Sequence, residues 1–444
     1  MSFVIPFDRL LKYLLYFSPF LFPFYLIRFS VIGIPFTLLE LFTYFVFGIW
    51  LLFLLSKKTR LKFEGILRYY WIACFVLLIG ATVGVLVVPH FMEMPTGEII
   101  DTQRMSLGVW KGWLLAPILY FVVLTQTFKE HKDVKKFLRM IAYSGFAISM
   151  ASYIMLPFGL GLTIDYRLNG FYESANYLAL YLVPCLLILF HLVLCKQYPL
   201  NKWNYFDLIA FAVIGHAIAF TQSYAAIIGV FGATGLYLLL LAFKKSFDPK
   251  KSLITLLLLL SFFGILLTAA VNTAKFQNFL DFDNRSSTSV RMEIYKTSAK
   301  LIQDHPWSGI GPGVFQAYYQ TESVKVLGKP PMEWNMPHPH NLVLAFWLNA
   351  GVLGLLALIM FFALSHSSFT YPLIALWGIL IHGLFDVPFW KNDLAMLFFA
   401  ILGSIAILQT YEIYFSTNRV RTIKRQPAKP SKKRTRKTKS SSKK

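Results

Sequence analysis

Long apolar runs separated by short polar segments dominate the pattern of this chain. Each run is about 20 residues long, which is the length that an α-helix needs to cross the hydrocarbon core of a bilayer. Helices of this kind satisfy their own backbone hydrogen bonds in lipid. The pattern therefore predicts an all-α polytopic membrane protein with about 12 transmembrane helices. The predicted helices lie near residues 10–29, 31–55, 71–89, 109–128, 138–159, 176–195, 205–221, 224–243, 252–272, 341–364, 369–386 and 392–412.

The composition agrees with this class of protein. Hydrophobic residues make up 57% of the 444 residues and charged residues only 14%, whereas soluble domains are usually about 25% charged. So few charges cannot cover the surface of a water-soluble enzyme, so that class is excluded. The cysteines Cys74, Cys185 and Cys195 lie within apolar runs, and we expect them to be small core residues.

The formal charge of +22 is explained by topology. With the N-terminus in the cytoplasm, 31 of the 43 lysines and arginines lie on the inner side, and thirteen of these lie between Arg419 and Lys444. The positive-inside rule therefore predicts cytoplasmic N- and C-termini. Anionic membrane lipids are sufficient partners for this charge, so no nucleic acid is expected. Residues 1–415 are predicted to form the membrane domain and residues 416–444 a disordered basic cytoplasmic tail.

Three predicted outer segments, 90–108, 160–175 and 273–340, stand out by their length or polarity. The last, between the ninth and tenth predicted helices, is far longer than an ordinary connection. Long segments that are held by a rigid scaffold often carry chemistry. We therefore expect residues 273–340 to be a partly helical, extracytoplasmic catalytic loop.

A helix is predicted over Ser289–Asp304, where apolar side chains recur at helical spacing before His305-Pro306 ends the run. Thr288 or Ser289 is expected to cap its start. Arg291 then falls in the first turn, where free backbone N–H groups favour an anion. A guanidinium at this position can bind a phosphate through two parallel hydrogen bonds.

Arg167 is a second outward-facing arginine and a second candidate for binding an anion. Either arginine could instead form an ordinary surface ion pair. The carboxylates available for such pairs are Asp283 and Glu293 for Arg291, and Asp165 and Glu173 for Arg167.

The segment Gly309–Phe315 carries three glycines, of which Gly311 and Gly313 flank a proline. It only superficially resembles a nucleotide-binding loop, since it follows a helix rather than a strand and contains a proline among its glycines. We interpret it as a tight turn that redirects the chain toward the membrane.

The long outer segment closes with Pro337-His338-Pro339-His340-Asn341. An imidazole has an ordinary pKa near 6.5 and can accept a proton from a hydroxyl nucleophile, so His340 is a candidate base. The alternatives are a histidine that caps the next helix, or half of a metal site with His338. No further cluster of metal ligands accompanies the pair in the sequence, so we expect no metal.

Ionisable residues inside predicted membrane helices are costly and indicate function by default. Glu40, His216, His382 and Asp386 are of this kind. His382 and Asp386 lie one helical turn apart, and we expect them to share a hydrogen bond. Each of the four could instead be a satisfied packing residue.

Anion-binding arginines and a base at the outer face of a membrane protein suit one reaction, the transfer of a glycan from a lipid diphosphate. The chain also resembles the O-antigen ligase and polymerase superfamily. The resemblance rests on Arg291, Gly309–Phe315, His340-Asn341 and Gly351–Leu355, in that order. The upstream motif that is similar to the family's comprises Arg167-Leu168-Asn169-Gly170 with Ala175-Asn176. The similarity extends over most of residues 1–412.

The resemblance implies a metal-independent, inverting glycosyltransferase that needs no cofactor and works at the outer face of the cytoplasmic membrane. Its donor would be a glycan linked to undecaprenyl diphosphate, and its acceptor a hydroxyl of a lipid, a polymer or a protein. By analogy Arg167 and Arg291 would bind the diphosphate, His340 would activate the acceptor, and Asn341 would fix the loop where it meets the membrane. The residues expected to support this site are Asn176, Asn341, His338, His382, Asp386, Gly311 and Gly313.

One departure from the family concerns the middle of the chain. Many members carry a Ser-Arg pair at the outer end of a middle helix, where this chain has Ser223-Tyr224. A phosphate contact is therefore missing, or another cation such as Lys296 supplies it.

Three other functions remain open at this stage. A polysaccharide polymerase of the same superfamily would use the same residues. A lipid-glycan flippase or transporter would be expected to have an internal repeat, and none is evident. A non-catalytic membrane scaffold would act through its basic tail.

Overall fold

The computed structural model describes residues 7–31, 34–57, 61, 63–194, 202–243, 257, 285–368 and 370–425. Within these residues the chain is mostly helical. The helices are α1 (Phe7–Phe17), α2 (Leu38–Lys57), α3 (Leu67–Val87), α4 (Thr102–Val109), α5 (Ala116–Thr127), α6 (His131–Met155), α7 (Ala175–Leu194), α8 (Lys202–Phe220), α9 (Tyr224–Phe243), α10 (Ser287–Asp304), α11 (Phe315–Leu327), α12 (Leu342–Ser365), α13 (Leu373–His382) and α14 (Asn392–Arg425). The strands β1 (Arg28–Val31) and β2 (Ile34–Thr37) form one antiparallel pair, and β3 (Phe91–Glu93) and β4 (Ile99–Asp101) form another.

Nine helical segments of the described residues are long and apolar enough to cross a membrane. They are α2, α3, the continuous stretch Thr102–Thr127 that contains α4 and α5, then α6, α7, α8, α9, α12 and α14. These nine correspond to nine of the twelve predicted crossings. The chain is therefore a multi-pass, mostly helical membrane protein.

The other three predicted crossings differ. The first, 10–29, is not one helix, because α1 gives way to a 3-10 segment over Ser18–Leu26 that contains Pro19 and Pro23, and proline removes a backbone donor and clashes with the preceding turn. In the eleventh, 369–386, only the ten residues of α13 are α-helical. The ninth, 252–272, lies almost entirely outside the described residues, so the number twelve and the orientation stay predictions.

The last helix forms the centre of the bundle. Of the nine spans α14 is the most buried, and it packs against α5, α6 and the 3-10 segment. It continues to Arg425, so the first ten residues of the predicted tail, 416–425, are helical. Residues 426–444 of the predicted tail lie outside the described part of the chain.

A close pair of helices positions the long outer segment. Gly80 and Gly84 of α3 lie one turn apart against α12. A Cβ on Gly80 would collide with the carbonyl of Ala350, and a Cβ on Gly84 would be in very tight contact with that of Asn349. Small residues at this spacing allow two membrane helices to approach closely. At the point of contact α12 is broken, with Gly351 in a left-handed conformation at φ 62°. The break leaves backbone groups of α12 free to bond the outer segment.

Candidate functional site

The segment Gly309–Phe315, which we call the glycine turn, belongs to the predicted outer segment 273–340 and packs into the break in α12. The N–H of Ile310 donates to the carbonyl of Leu348 at 2.7 Å, and that of Gly313 donates to Oδ1 of Asn349 at 2.8 Å. Gly309, Gly311 and Gly313 all have positive φ, and a Cβ on Gly311 would collide with α3. The predicted turn is therefore present, and it anchors the outer segment to the membrane helices.

Helix α10 begins at Ser287, two residues earlier than the predicted start at Ser289. Ser286 is the N-cap, and its side chain and that of Ser289 bond each other's backbone N–H groups as a capping box. Thr288 and Ser289 are therefore not the cap. Arg291 consequently lies in the second turn rather than the first.

Arg291 is oriented by the turn that follows α13. Its Nε donates to the carbonyl of Phe385 at 3.2 Å and its Nη1 to that of Ser287 at 3.4 Å, while its Nη2 donates to no residue that the structure describes. The alternative partner Glu293 is buried and instead accepts from the N–H of Met332 at 2.8 Å. Glu293 also pairs with Lys329 at 2.9 Å. The other alternative partner, Asp283, lies outside the described residues.

His340 meets a carboxylate that is distant in the sequence. Its Nδ1 lies 3.3 Å from Oδ1 of Asp386, and Nε2 of His338 lies 4.0 Å from the same oxygen. The two imidazole rings are 4.4 Å apart between centroids. His340 has a φ of 47°, which is unfavourable for a residue with a Cβ and is often found at functional sites.

Asn341, rather than His340, caps the following helix. Its Oδ1 accepts from the N–H groups of Val343 and Leu344, and its Nδ2 donates to the carbonyl of Leu384 at 3.1 Å. The hydroxyl of Tyr295 donates to the carbonyl of His340 at 3.1 Å. The capping alternative for His340 is therefore wrong, and its ring is available for the contact with Asp386.

The electrostatics of this group keep Asp386 ionised and His338 neutral. Burial raises the pKa of Asp386, but the charge of His340, followed by the charges of His338 and His382, outweighs burial and holds that pKa well below its usual range. Burial, together with the charge of His340, lowers the pKa of His338 to about 3. The ionised carboxylate of Asp386 can thus accept a hydrogen bond from a protonated Nδ1 of His340, and it can stabilise the imidazole ring when the ring becomes positively charged.

The expected hydrogen bond between the side chains of His382 and Asp386 is not formed. The carboxylate turns toward His340 and also accepts from the N–H of Val387 at 2.9 Å. His382 is buried beside Gly229 of α9, and its Nε2 has no hydrogen-bond partner among the described residues. The helix ends at His382, so Asp386 lies in the turn that follows and not on the same helix face as His382.

Arg291 and His340 line one cavity of about 340 Å³, which we call the arginine cavity. Its polar lining consists of Asn176, Arg285, Ser286, Ser287, Arg291, Glu333 and His340. The N-terminal turn of α10 and two guanidinium groups thus face the same space. Such a combination favours a phosphate group.

Arg167 is not part of that lining. Its Nε donates to the carbonyl of Thr221 at 2.8 Å, and its Nη2 donates to Oδ1 of Asn176 at 2.8 Å. Its Nη1 lies 3.7 Å from Asp165, the partner expected for a structural role. Burial lowers the pKa of Arg167, although Asp165 and Tyr224 oppose this. Arg167 thus positions Asn176, which does line the cavity.

Sequence reasoning missed two features of this site. The first is Arg285, which lines the arginine cavity and forms an ion pair with Glu333. Lys296, the cation that the sequence suggested as a substitute for the family's arginine, is exposed and does not line this cavity. The serines that follow Arg285 could have indicated the true start of α10. The second feature is the contact between Asp386 and His340, which no local pattern predicts because 46 residues separate them.

The same contact changes the expectation about metals. Ligand atoms of His338, His340 and Asp386 lie within 4.8 Å of one another, so these three side chains could together hold a cation. Asp386 is thus a third possible ligand, which the sequence did not place beside the two histidines. The expectation of no metal stays a prediction.

The remaining intramembrane candidates have partners within the protein. Glu40 pairs with Lys111 at 2.6 Å and accepts from Asn392 at 3.1 Å. Nδ1 of His216 lies 2.6 Å from the hydroxyl of Tyr153. Both residues therefore have the satisfied packing role that was the alternative for them.

Comparison with known proteins supports the family resemblance that the sequence motifs indicated. Residues 209–359 match a family model described as O-antigen ligase. The matched region contains Arg291, the glycine turn and His340. No curated protein matches the chain significantly. The match confirms the resemblance to the O-antigen ligase and polymerase superfamily over these residues, and the upstream motif that contains Arg167 lies outside them.

Proposed function

Because residues 209–359 match the O-antigen ligase family, we propose that this protein is a glycosyltransferase of the outer face of the cytoplasmic membrane. It transfers a glycan from undecaprenyl diphosphate to a hydroxyl of an acceptor. The observation that carries the proposal is the pair of His340 and Asp386, 3.3 Å apart, at a cavity that Arg291 also lines. A base and an anion-binding group thus share one space.

The donor diphosphate occupies the arginine cavity. The guanidinium groups of Arg291 and Arg285 and the N-terminal turn of α10 offset its negative charge. This charge increases as the glycosidic bond breaks, so the same groups stabilise the transition state more than the bound donor. Arg167 acts indirectly, through its hydrogen bond to Asn176.

His340 accepts the proton of the acceptor hydroxyl. The acceptor oxygen forms a bond to the anomeric carbon while the bond from that carbon to the phosphate oxygen breaks, and undecaprenyl diphosphate leaves with the bonding electron pair. Attack from the side opposite the diphosphate inverts the configuration at this carbon. Asp386 orients the imidazole and stabilises its charged form, as a carboxylate does for the histidine of a hydrolase triad.

The reaction is tested with the purified protein and a lipid-diphosphate oligosaccharide in the presence of EDTA. Lengthened products from this donor alone identify a polymerase, which is the alternative function within the superfamily. Transfer only after addition of an acceptor identifies a ligase. Absence of transfer under both conditions, with or without added divalent metal, contradicts the proposal. Transfer that EDTA abolishes and added metal restores contradicts its metal-independent form.

A further inference from the structure

A second and larger cavity has His338 in its lining. It has a volume of about 570 Å³, within the range of about 300–1,000 Å³ that is typical of small-molecule sites. We call it the lysine cavity, after Lys391 in its lining. Its aromatic and polar lining includes Trp113, Tyr177, Glu173, Gln316, Trp390 and Lys391.

The two cavities meet at the histidines but do not share them. His338 lines the lysine cavity, whereas His340 lines the arginine cavity, and the two rings are 4.4 Å apart between centroids. A molecule in the lysine cavity thus lies next to His338, and a molecule in the arginine cavity lies next to Arg291 and His340. An acceptor in the first cavity and a donor diphosphate in the second would therefore be neighbours at the histidine pair.

Lys391 is unusually placed for a lysine. Only 7% of its surface is exposed, and its Nζ has no hydrogen-bond partner among the described residues. It lies 3.6 Å from the ring centroid of Tyr177, and a cation–π contact of this kind offsets only part of the cost of burying a charge. An oxygen-rich ligand in the cavity would supply the missing acceptors.

The charges around Lys391 are mixed. Burial lowers the pKa of Lys391. The negative charges of Asp393 and Glu173 raise this pKa, and the positive charge of Arg28 lowers it. Glu173 and Arg28 are exposed and line the same cavity. Donors and acceptors of hydrogen bonds are therefore both present beside aromatic rings, and this combination suits a ligand with many hydroxyl groups and apolar C–H faces.

We propose that the lysine cavity binds the acceptor and that this acceptor is a saccharide. Lys391 donates to sugar oxygens, Glu173 accepts from sugar hydroxyls, and the aromatic side chains cover the C–H faces of the rings. The reacting hydroxyl then projects toward the histidine pair. This inference rests on the proposed glycosyl transfer and excludes a protein side chain as the acceptor.

The experiment measures binding separately from turnover. The probe is a fluorophore-labelled oligosaccharide. For a polymerase it is the oligosaccharide released from the lipid donor by mild acid, and for a ligase it is the saccharide that supports transfer when it is added. Its binding to the full-length protein in nanodiscs is followed by fluorescence polarisation. Lys391→Met should weaken this binding about 10-fold or more, because a hydrogen bond from a charged group is lost. Lys391→Arg should retain most of it, and Lys300→Met, at an exposed lysine of α10, should leave it unchanged.

Arg291→Ala provides the reciprocal control. It should weaken binding of the lipid-diphosphate donor but leave binding of the free oligosaccharide unchanged. Saturating donor should not displace the oligosaccharide, because the two cavities are separate. If Lys391→Met does not fold, Glu173→Gln, at an exposed carboxylate, is used in its place and should also weaken binding.

Several results would overturn the inference. One is oligosaccharide binding that is unaffected by the cavity variants. Another is displacement of the oligosaccharide by donor, which would assign the cavity to the donor glycan. A third is unchanged transfer to a saccharide by a folded Lys391→Met protein. Failure of the proposed function gives a different result, because the wild-type protein would then neither bind the donor nor transfer the glycan. Efficient transfer to a peptide but not to a saccharide would also contradict the inference.

Discussion

The contact between His340 and Asp386 gives two residues of ordinary chemistry a defined role. His340 was a candidate from its place at the end of the outer segment, and Asp386 from its place in an apolar run. Their partnership depends on a turn after α13 that brings distant residues together, and no periodicity of the sequence encodes it. The opposite applies to Arg167, whose charge attracted attention but whose guanidinium bonds other parts of the protein.

Replacing Asp386 with asparagine should reduce the rate of glycan transfer about 100-fold or more, because the neutral amide no longer stabilises the charged imidazole. The measurement is the initial rate of product formation at saturating donor. Asp304→Asn is the matched control, since Asp304 is exposed and pairs only with Lys300 among the described residues. A rate for Asp386→Asn equal to that of this control would remove Asp386 from the mechanism.

The pKa of His338 makes a prediction about stability. In the folded protein this pKa is about 3, whereas it is near 6.5 in an unfolded chain. As the pH falls below 6.5 the unfolded state therefore binds a proton that the folded state does not, so folding stability decreases toward pH 3. Asp386 does not obscure this window, because its lowered pKa affects stability only below its ordinary value near 4.

The thermal unfolding midpoint of the protein in detergent should accordingly decrease between pH 7 and pH 4. His338→Gln should decrease less over this range, and His90→Gln, at an exposed histidine, should behave like the wild type. Parallel pH profiles for the wild type and His338→Gln would show that His338 is not buried in its neutral form.

At the scale of elements, the long apolar helices could be predicted and their interruptions could not. Length and hydropathy locate α3 and α12, but the break at Gly351 depends on the glycine turn that fits into it. Likewise, the prolines that end α1 were visible in an apolar run whose length alone indicated one crossing. Hydropathy measures the transfer of side chains into lipid, whereas a break is decided by backbone contacts with another part of the chain.

Gly351→Ala tests the importance of this break. The alanine would have to adopt a positive φ with an extended ψ, at a cost of about 1–3 kcal/mol, and its Cβ would collide with the backbone of Trp307. We expect a lower thermal unfolding midpoint together with reduced transfer, because the outer segment loses its anchor. Gly235→Ala in α9 is the control, since no atom lies within 4 Å of its Cβ position, and it should be neutral or slightly stabilising. Equal midpoints for the two variants would count against the role of the turn.

At the scale of the whole molecule, the distribution of lysine and arginine predicts which end of the bundle faces outward. Asn176, Arg291 and His340, which come from separate parts of the sequence, line one cavity, and the side of the membrane that this cavity faces stays a prediction. The number of crossings depends in part on residues 252–272, which the structure does not describe. Composition could predict the class of protein, but only the packing of helices assembles the site.

The orientation is tested with single cysteines in a protein whose native cysteines are replaced by alanine. A membrane-impermeant maleimide should label Trp307→Cys in intact cells, because Trp307 is exposed beside α10. It should label Lys132→Cys, at the start of α6, only after the membrane is permeabilised. The reverse pattern would place the proposed site in the cytoplasm and contradict the topology.

The central claim is that His340 performs the chemistry while Arg291 binds the donor diphosphate. Its most direct test measures donor binding and glycan transfer on the same preparations of wild type, His340→Gln and Arg291→Ala. His340→Gln should bind the donor with nearly wild-type affinity but lose transfer by about 100-fold or more, whereas Arg291→Ala should lose donor affinity. Transfer by His340→Gln at the wild-type rate would contradict the account.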